Sequence, residues 1–125
     1  MPVPRPIYQL PLDLDLQEPE GEISQEDARI RSEAAQKALE NMYGKIGAPR
    51  WLDEYAQLRD GGWPWRVAAY IAWASSPRVG REPKTQEELA RAHLGLTSDR
   101  VIATWRKRNP AIDEMVRILQ TAPLF

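Results

Sequence analysis

The chain has no cysteine among its 125 residues, which removes disulfides, thiolate metal sites and cysteine nucleophiles together. It has a single histidine, His93, and no GxxxxGK[S/T] loop, so the usual means of general-base catalysis and of phosphate cradling are nearly absent. No apolar run approaches the roughly 20 residues that span a bilayer, and the first residues lack the basic, apolar, small-residue order of a signal peptide. The expectation is a soluble intracellular protein that is not an enzyme and carries no cofactor or metal. Its acidic side chains Asp13, Asp15, Glu18 and Glu20 stand in a proline-rich stretch unsuited to fixed coordination geometry. His93, at a predicted helix end, is expected to donate to a C-terminal carbonyl rather than to a reaction.

What is present is an ordinary globular composition of a size that suits one domain with tails, or a small domain that completes its core by assembling with its own copies. The net charge of −1 hides a division. Residues 1–60 carry seven Lys or Arg against twelve Asp or Glu, and residues 61–125 carry ten against six. Clustered cations in the second half are what phosphate contact requires. The surplus is modest, so one copy should bind weakly and multivalency would supply the rest.

Residues 84–108, KTQEELARAHLGLTSDRVIATWRKR, read as two short helices joined by a tight turn. Thr85 can cap the first helix with its hydroxyl, and Glu88 three residues later can close a capping box. Leu89, Ala90 and Leu94 form an apolar stripe, and Gly95 stands where the helix must stop, so a turn is predicted at Gly95-Leu96. Thr97 can then cap a second helix with Asp99 in its first turn. Val101, Ile102 and Trp105 fall on one side of it. Arg100, Ala103 and Lys107 fall on the other, flanked by Asp99, Thr104 and Arg106. This is the pattern of a helix-turn-helix, whose second helix enters the major groove of duplex DNA. On that reading Ser98, Asp99, Arg100, Ala103 and Thr104 face base edges, while Arg106, Lys107 and Arg108 meet phosphates. Five steps separate Ala90 from Gly95 where the usual pattern has four, so a wider turn after His93 must absorb one residue. The competing reading is a capped helix pair of the kind common in all-α proteins, with a merely solvated charged face.

The rest of the chain divides readily. Residues 1–22 hold five prolines and no helical period, and read as a disordered acidic tail. Within it Gln9-Leu10-Pro11-Leu12-Asp13-Leu14 resembles the short peptides that dock on bacterial sliding clamps. The alternative is an arm that packs on a neighbouring subunit through Ile7, Tyr8 and Leu10. Residues 23–48 contain an amphipathic helix, opened by Ser24, with Ala35, Leu39, Met42 and Ile46 in a stripe beside Ile30, Ala34 and Ala38. It either completes the core or packs against copies of itself, and its small and apolar residues suit the second.

Residues 49–120 form the predicted DNA-binding domain. A short helix carries Trp51, Leu52, Tyr55 and Leu58 and is closed by Gly61-Gly62. Pro64 opens the next, which is apolar on every side to about Ala74 and so must be buried on more than one face. Its aromatics read as core rather than as a stacking platform for bases. The ten-residue loop SSPRVGREPK supplies Arg78, Arg81 and Lys84, which could clamp a phosphate or reach a minor groove; the alternative is a solvated linker. A last helix after Asn109-Pro110 carries Ile112, Met115, Val116 and Leu119, and residues 121–125 are a C-terminal tail.

The segments Gly-Trp-Pro-Trp-Arg from Gly62, Ala-Tyr-Ile-Ala-Trp from Ala69, Lys-Thr-Gln-Glu-Glu-Leu-Ala from Lys84, Leu-Gly-Leu-Thr-Ser-Asp-Arg from Leu94 and Trp-Arg-Lys-Arg-Asn-Pro from Trp105 resemble a phage and prophage family of homeodomain-like helix-turn-helix proteins. The likeness is to those grouped with small terminase subunits, and it covers under half of the chain. It implies an all-α, homeodomain-like fold and a ring-shaped homo-oligomer in the host cytoplasm. That ring would recognise viral double-stranded DNA and pass it to a large, ATP-hydrolysing terminase subunit. It also implies DNA contacts along the second helix, from Thr97 to Lys107. Small terminases commonly place the assembly helices after the DNA module, whereas here the long helix precedes it. Two other functions fit the same residues: a dimeric transcriptional regulator, or the DNA-binding component of a transposition system.

Overall fold

A computed structural model of the chain describes residues 6–11, 14–16 and 25–121. All regular structure among them is helical: a single 3-10 turn, Pro6–Tyr8, and helices α1 (Gln25–Glu40), α2 (Leu52–Asp60), α3 (Trp65–Ser75), α4 (Gln86–Ala92), α5 (Arg100–Arg108) and α6 (Pro110–Thr121). The expected helix cap Ser24 and the tail beyond Thr121 lie outside the described residues.

The all-apolar helix is the centre of the molecule. Every residue of α3 from Val67 to Trp73 is buried, because α2 packs along one side and α6 along another. Those two helices are its closest neighbours; α5 reaches the centre mainly by lying on α6. The partners are amphipathic: α2 turns Leu52, Tyr55 and Leu58 inward, and α6 turns Ile112 and Met115 inward. Pro64 stands just ahead of α3 in an extended conformation, where its missing amide costs nothing.

Trp51, Trp63 and Trp73 are core, and their polar edges tie the chain together. The indole N–H of Trp51 donates to the Glu82 carbonyl at 2.8 Å, that of Trp63 to Tyr8 at 2.9 Å and that of Trp73 to Pro83 at 2.6 Å. A buried indole needs such a partner, and a main-chain carbonyl in a loop needs a donor, so each bond satisfies two groups and pins one irregular segment. Trp105 differs: its indole nitrogen is buried without a partner among the described residues.

The N-terminal stretch departs from the expected disordered tail. Tyr8 is buried, and Leu10, Leu14 and Leu16 pack against the core. Leu10 N–H donates to the Gly61 carbonyl at 3.0 Å, and a Cβ on Gly61 would sit 1.9 Å from the Tyr8 carbonyl oxygen. Gly61 has an ordinary φ of −78°, so glycine is needed here for close approach alone. Further along, Asn109 holds the Asp15 backbone at two points: its Oδ1 accepts from the Asp15 amide at 2.7 Å and its Nδ2 donates to the Asp15 carbonyl at 2.8 Å. The same Nδ2 donates to the Trp105 carbonyl at 2.9 Å. Leu10 and Leu14 of the clamp-like motif are therefore committed to this chain's own core; Leu12 and Asp13 lie outside the described residues.

Helix α1 is shorter than its pattern suggested. It ends at Glu40 in a run of turns, with Gly44 and Gly47 in the left-handed region, and Ile46 is fully exposed rather than the last step of an apolar stripe. Leu39 is fully buried, while Ile30 stays 52% exposed. No helix among the described residues is long and apolar enough to cross a membrane.

Candidate nucleic-acid interface

The start of α4 follows the sequence closely. The Thr85 hydroxyl accepts the Glu88 amide at 3.1 Å, and Leu89 and Ala90 are buried on the inner side. The helix then unwinds over a wide turn in which Leu94 N–H reaches the Leu89 carbonyl and Leu96 N–H the Ala90 carbonyl, five and six residues back. This widening absorbs the additional residue between Ala90 and Gly95. Gly95 has φ +68°, and a Cβ there would lie 3.0 Å from the Ala35 side chain and 3.2 Å from the Arg31 carbonyl. The conformation favours glycine and the space is tight, since α1 rests on the turn between α4 and α5.

The second helix begins three residues later than its first available cap. Thr97 and Ser98 lie in the connection, and α5 starts at Arg100 with Asp99 before it. Three consecutive capping residues were on offer, and a tertiary bond decides among them. The Asp99 amide donates to the Glu87 carboxylate of α4 at 2.9 Å, while the Ser98 hydroxyl accepts from the Arg100 amide at 3.3 Å. The Asp99 amide, helped by Arg91, holds Glu87 below the usual carboxylate range. The predicted tight turn is therefore a seven-residue connection, residues 93–99, closed by a carboxylate from the preceding helix.

Along α5 the two faces separate as the spacing predicts. Ile102 and Trp105 are buried, while Arg100, Ala103 and Lys107 are exposed on the opposite side. The Thr104 hydroxyl donates back to the Arg100 carbonyl at 3.0 Å, which turns it partly away from that surface. Neither Arg100 nor Lys107 has an ion pair among the described residues. Arg108 is exposed beside them.

Arg106 is engaged within the fold. Its Nε donates to Asp113 at 2.8 Å and its Nη1 to Gln86 at 3.2 Å, and its guanidinium lies 5.6 Å from the Tyr70 ring centre. Gln86 in turn donates to the Asp99 carboxylate at 3.2 Å. One side chain of α4 thus touches both ends of α5, and Arg106 extends the link to α6. In sequence Arg106 groups with Lys107 and Arg108; a partner seven residues on, across Pro110, gives no local signal.

The basic loop is also ordered by the fold. Its end is held by the two indole bonds to Glu82 and Pro83. Arg81 lies over the Trp73 ring at 4.2 Å and donates to the Ala74 carbonyl at 3.1 Å, which caps the C-terminus of α3. Arg78 and Lys84 are exposed. His93 does not bond a helix carbonyl through its side chain; the half-buried imidazole meets Trp51 edge-on at 5.8 Å, and burial pushes its pKa down. Among the described residues no group of three or more His, Asp or Glu side chains is placed to hold a metal ion. No protein-family model, curated protein or solved structure matches this chain.

Proposed function

We propose that the protein is a non-enzymatic binder of double-stranded DNA that reads the duplex with the outer face of α5. The observation that carries this reading is the division of that helix, with Ile102 and Trp105 buried while Arg100, Ala103 and Lys107 stand in a row facing solvent. A helix of nine residues is about 13 Å long, comparable with the roughly 12 Å width of a major groove. Arg100, in its first turn, is placed to address a base edge, and Lys107, two turns on, a phosphate. Thr97 and Ser98 approach the duplex from the connection rather than from the helix, and Asp99, tied to Gln86, serves to hold the helix start. Arg106 acts as a brace, so the phosphate role falls to Lys107.

So few cations give modest affinity for one copy, which favours an assembly presenting several α5 helices together. The outward residues Ile30, Ala34 and Ala38 of α1 are where copies of the chain would meet. Within that frame a small-terminase-like role, recognising viral DNA in a ring and passing it to a large subunit, is the finer reading. Light scattering gives its test: a ring of many copies supports it, and a stable dimer favours a transcriptional regulator instead.

The DNA reading itself is tested by fluorescence anisotropy on labelled duplexes at several salt concentrations. Arg100→Ala is expected to relax sequence preference by about 1–3 kcal/mol if it pairs with a base. Arg100→Ala with Lys107→Ala is expected to weaken binding to every duplex and to flatten the salt dependence. Unchanged affinity in the double variant overturns the reading.

A further inference from the structure

The loop before α4 holds cations in an arrangement that helix α5 does not explain. Arg78, Val79, Gly80 and Arg81 form a β-turn, closed by the Arg81 amide donating to the Arg78 carbonyl at 3.3 Å, with Gly80 at φ +76°. A positive φ at the third position is the mark of a type II turn, which brings its first and fourth residues side by side. Here those residues are both arginines. With Lys84 they line a groove of about 370 Å³ whose other walls are Gly80 and Glu82.

The groove is anchored at one end and under-neutralised. Two indoles hold its far end, Trp51 at Glu82 and Trp73 at Pro83. The Arg81 guanidinium lies over the Trp73 ring with Nη1 turned to the carbonyls of α3, and its Nε is buried without a partner among the described residues. Burial first, and the nearby Arg78 charge second, press Arg81 below its ordinary pKa. No carboxylate pairs with Arg78, Arg81 or Lys84 among the described residues; Glu82 alone offsets three cations. Like charges fixed together without a counter-ion repel, and an oxyanion seated between them relieves that cost.

The groove is linked to α5 through α3. Arg81 lies over the Trp73 ring and Arg106 lies 5.6 Å from the Tyr70 ring centre, and the two rings are 6.2 Å apart on α3. Lys84 stands two residues before Gln86, the side chain that touches both ends of α5.

We propose that Arg78, Arg81 and Lys84 form a phosphate site that takes one phosphodiester group of a duplex bound on α5. The inference rests on the duplex reading of α5. A backbone contact outside the reading helix fixes register on the DNA without reading sequence.

The test follows backbone amide resonances of the full-length protein in two titrations, one with inorganic phosphate and one with a short duplex. Residues 78–84 are expected to shift in both, and at far lower concentration with the duplex, together with residues of α5. Arg78→Ala with Lys84→Ala, both exposed positions, should abolish the loop response to phosphate. It should also weaken duplex binding about tenfold and lower the salt slope by about one. Loop shifts with free phosphate but not with duplex would overturn the proposal in favour of a small-anion site. Shifts in α5 without the loop would overturn it and leave the duplex reading standing. No shift anywhere with duplex would remove both.

Discussion

The N-terminal stretch and helix α1 exchange the roles their sequences suggest. Residues 6–16 have prolines and no period, yet Tyr8 is buried and Leu10, Leu14 and Leu16 close over the core. Helix α1 has the better apolar pattern, yet it inserts Leu39 fully and leaves Ile30 half in water. The difference lies in what receives each segment. The strap lies against the Gly61 backbone and the amide of Asn109, which satisfy its main-chain groups without regular structure. Helix α1 satisfies its own main chain and needs only one line of contact, so its outer face is free to meet something else.

The largest expected effect is at Gly61. Gly61→Ala drives a Cβ into the Tyr8 carbonyl and should cost about 2–4 kcal/mol in denaturant unfolding. In a chain lacking the first eleven residues the same substitution should be nearly neutral, because φ there suits alanine. An equal cost in both backgrounds would show that the strap does not press on this site.

Asn109→Ala removes three hydrogen bonds at a residue 6% exposed. It should cost about 1–3 kcal/mol, and amide exchange at Asp15 should quicken. Protection that persists at Asp15 would mean the strap is held by its leucines alone.

Ile30→Glu sharpens the other side of the comparison. At a half-exposed position it should change unfolding by less than about 0.5 kcal/mol while reducing the assembled mass measured by light scattering. An unchanged mass would remove α1 as the meeting surface.

The smallest effect is that of pH. Burial lowers the pKa of His93 in the folded state, so the unfolded chain binds the proton more readily. Stability is full above the unfolded value of about 6.5 and declines as pH falls from there toward the folded value. His93→Gln should remove that part of the slope between pH 7 and 5; a slope that survives it belongs to other groups.

Much of the helical part was legible in the sequence. Apolar spacing gave α2, α3 and α6, Thr85 marked the start of α4, and Gly95 marked a stop that α1 and a positive φ both favour. The tight turn and the start of α5 were not legible, because Thr97, Ser98 and Asp99 are equivalent caps locally and Glu87 chooses among them through space. The strap was hidden for the same reason: nothing near Tyr8 announces a glycine more than fifty residues away that lacks a Cβ. In the candidate site Arg100, Ala103 and Lys107 fell on the outer face as the period requires. Arg106 and Arg81 look equivalent to their neighbours in sequence and differ through Asp113 and Gln86 for the first and the C-terminal end of α3 for the second.

Two adjacent cations put the account to its most direct test. Lys107 faces solvent, whereas Arg106 is paired with Asp113, with both side chains roughly half exposed, so that brace contributes only about 1 kcal/mol or less. The decisive measurement is the salt dependence of duplex affinity for Lys107→Ala and Arg106→Ala, each beside its unfolding curve. Lys107→Ala should lower the slope of log K against log salt by about one with stability unchanged. Arg106→Ala should lower stability slightly and leave the slope nearly intact. Equal slopes for Lys107→Ala and the parent chain would contradict the assignment of the outer face of α5 to DNA.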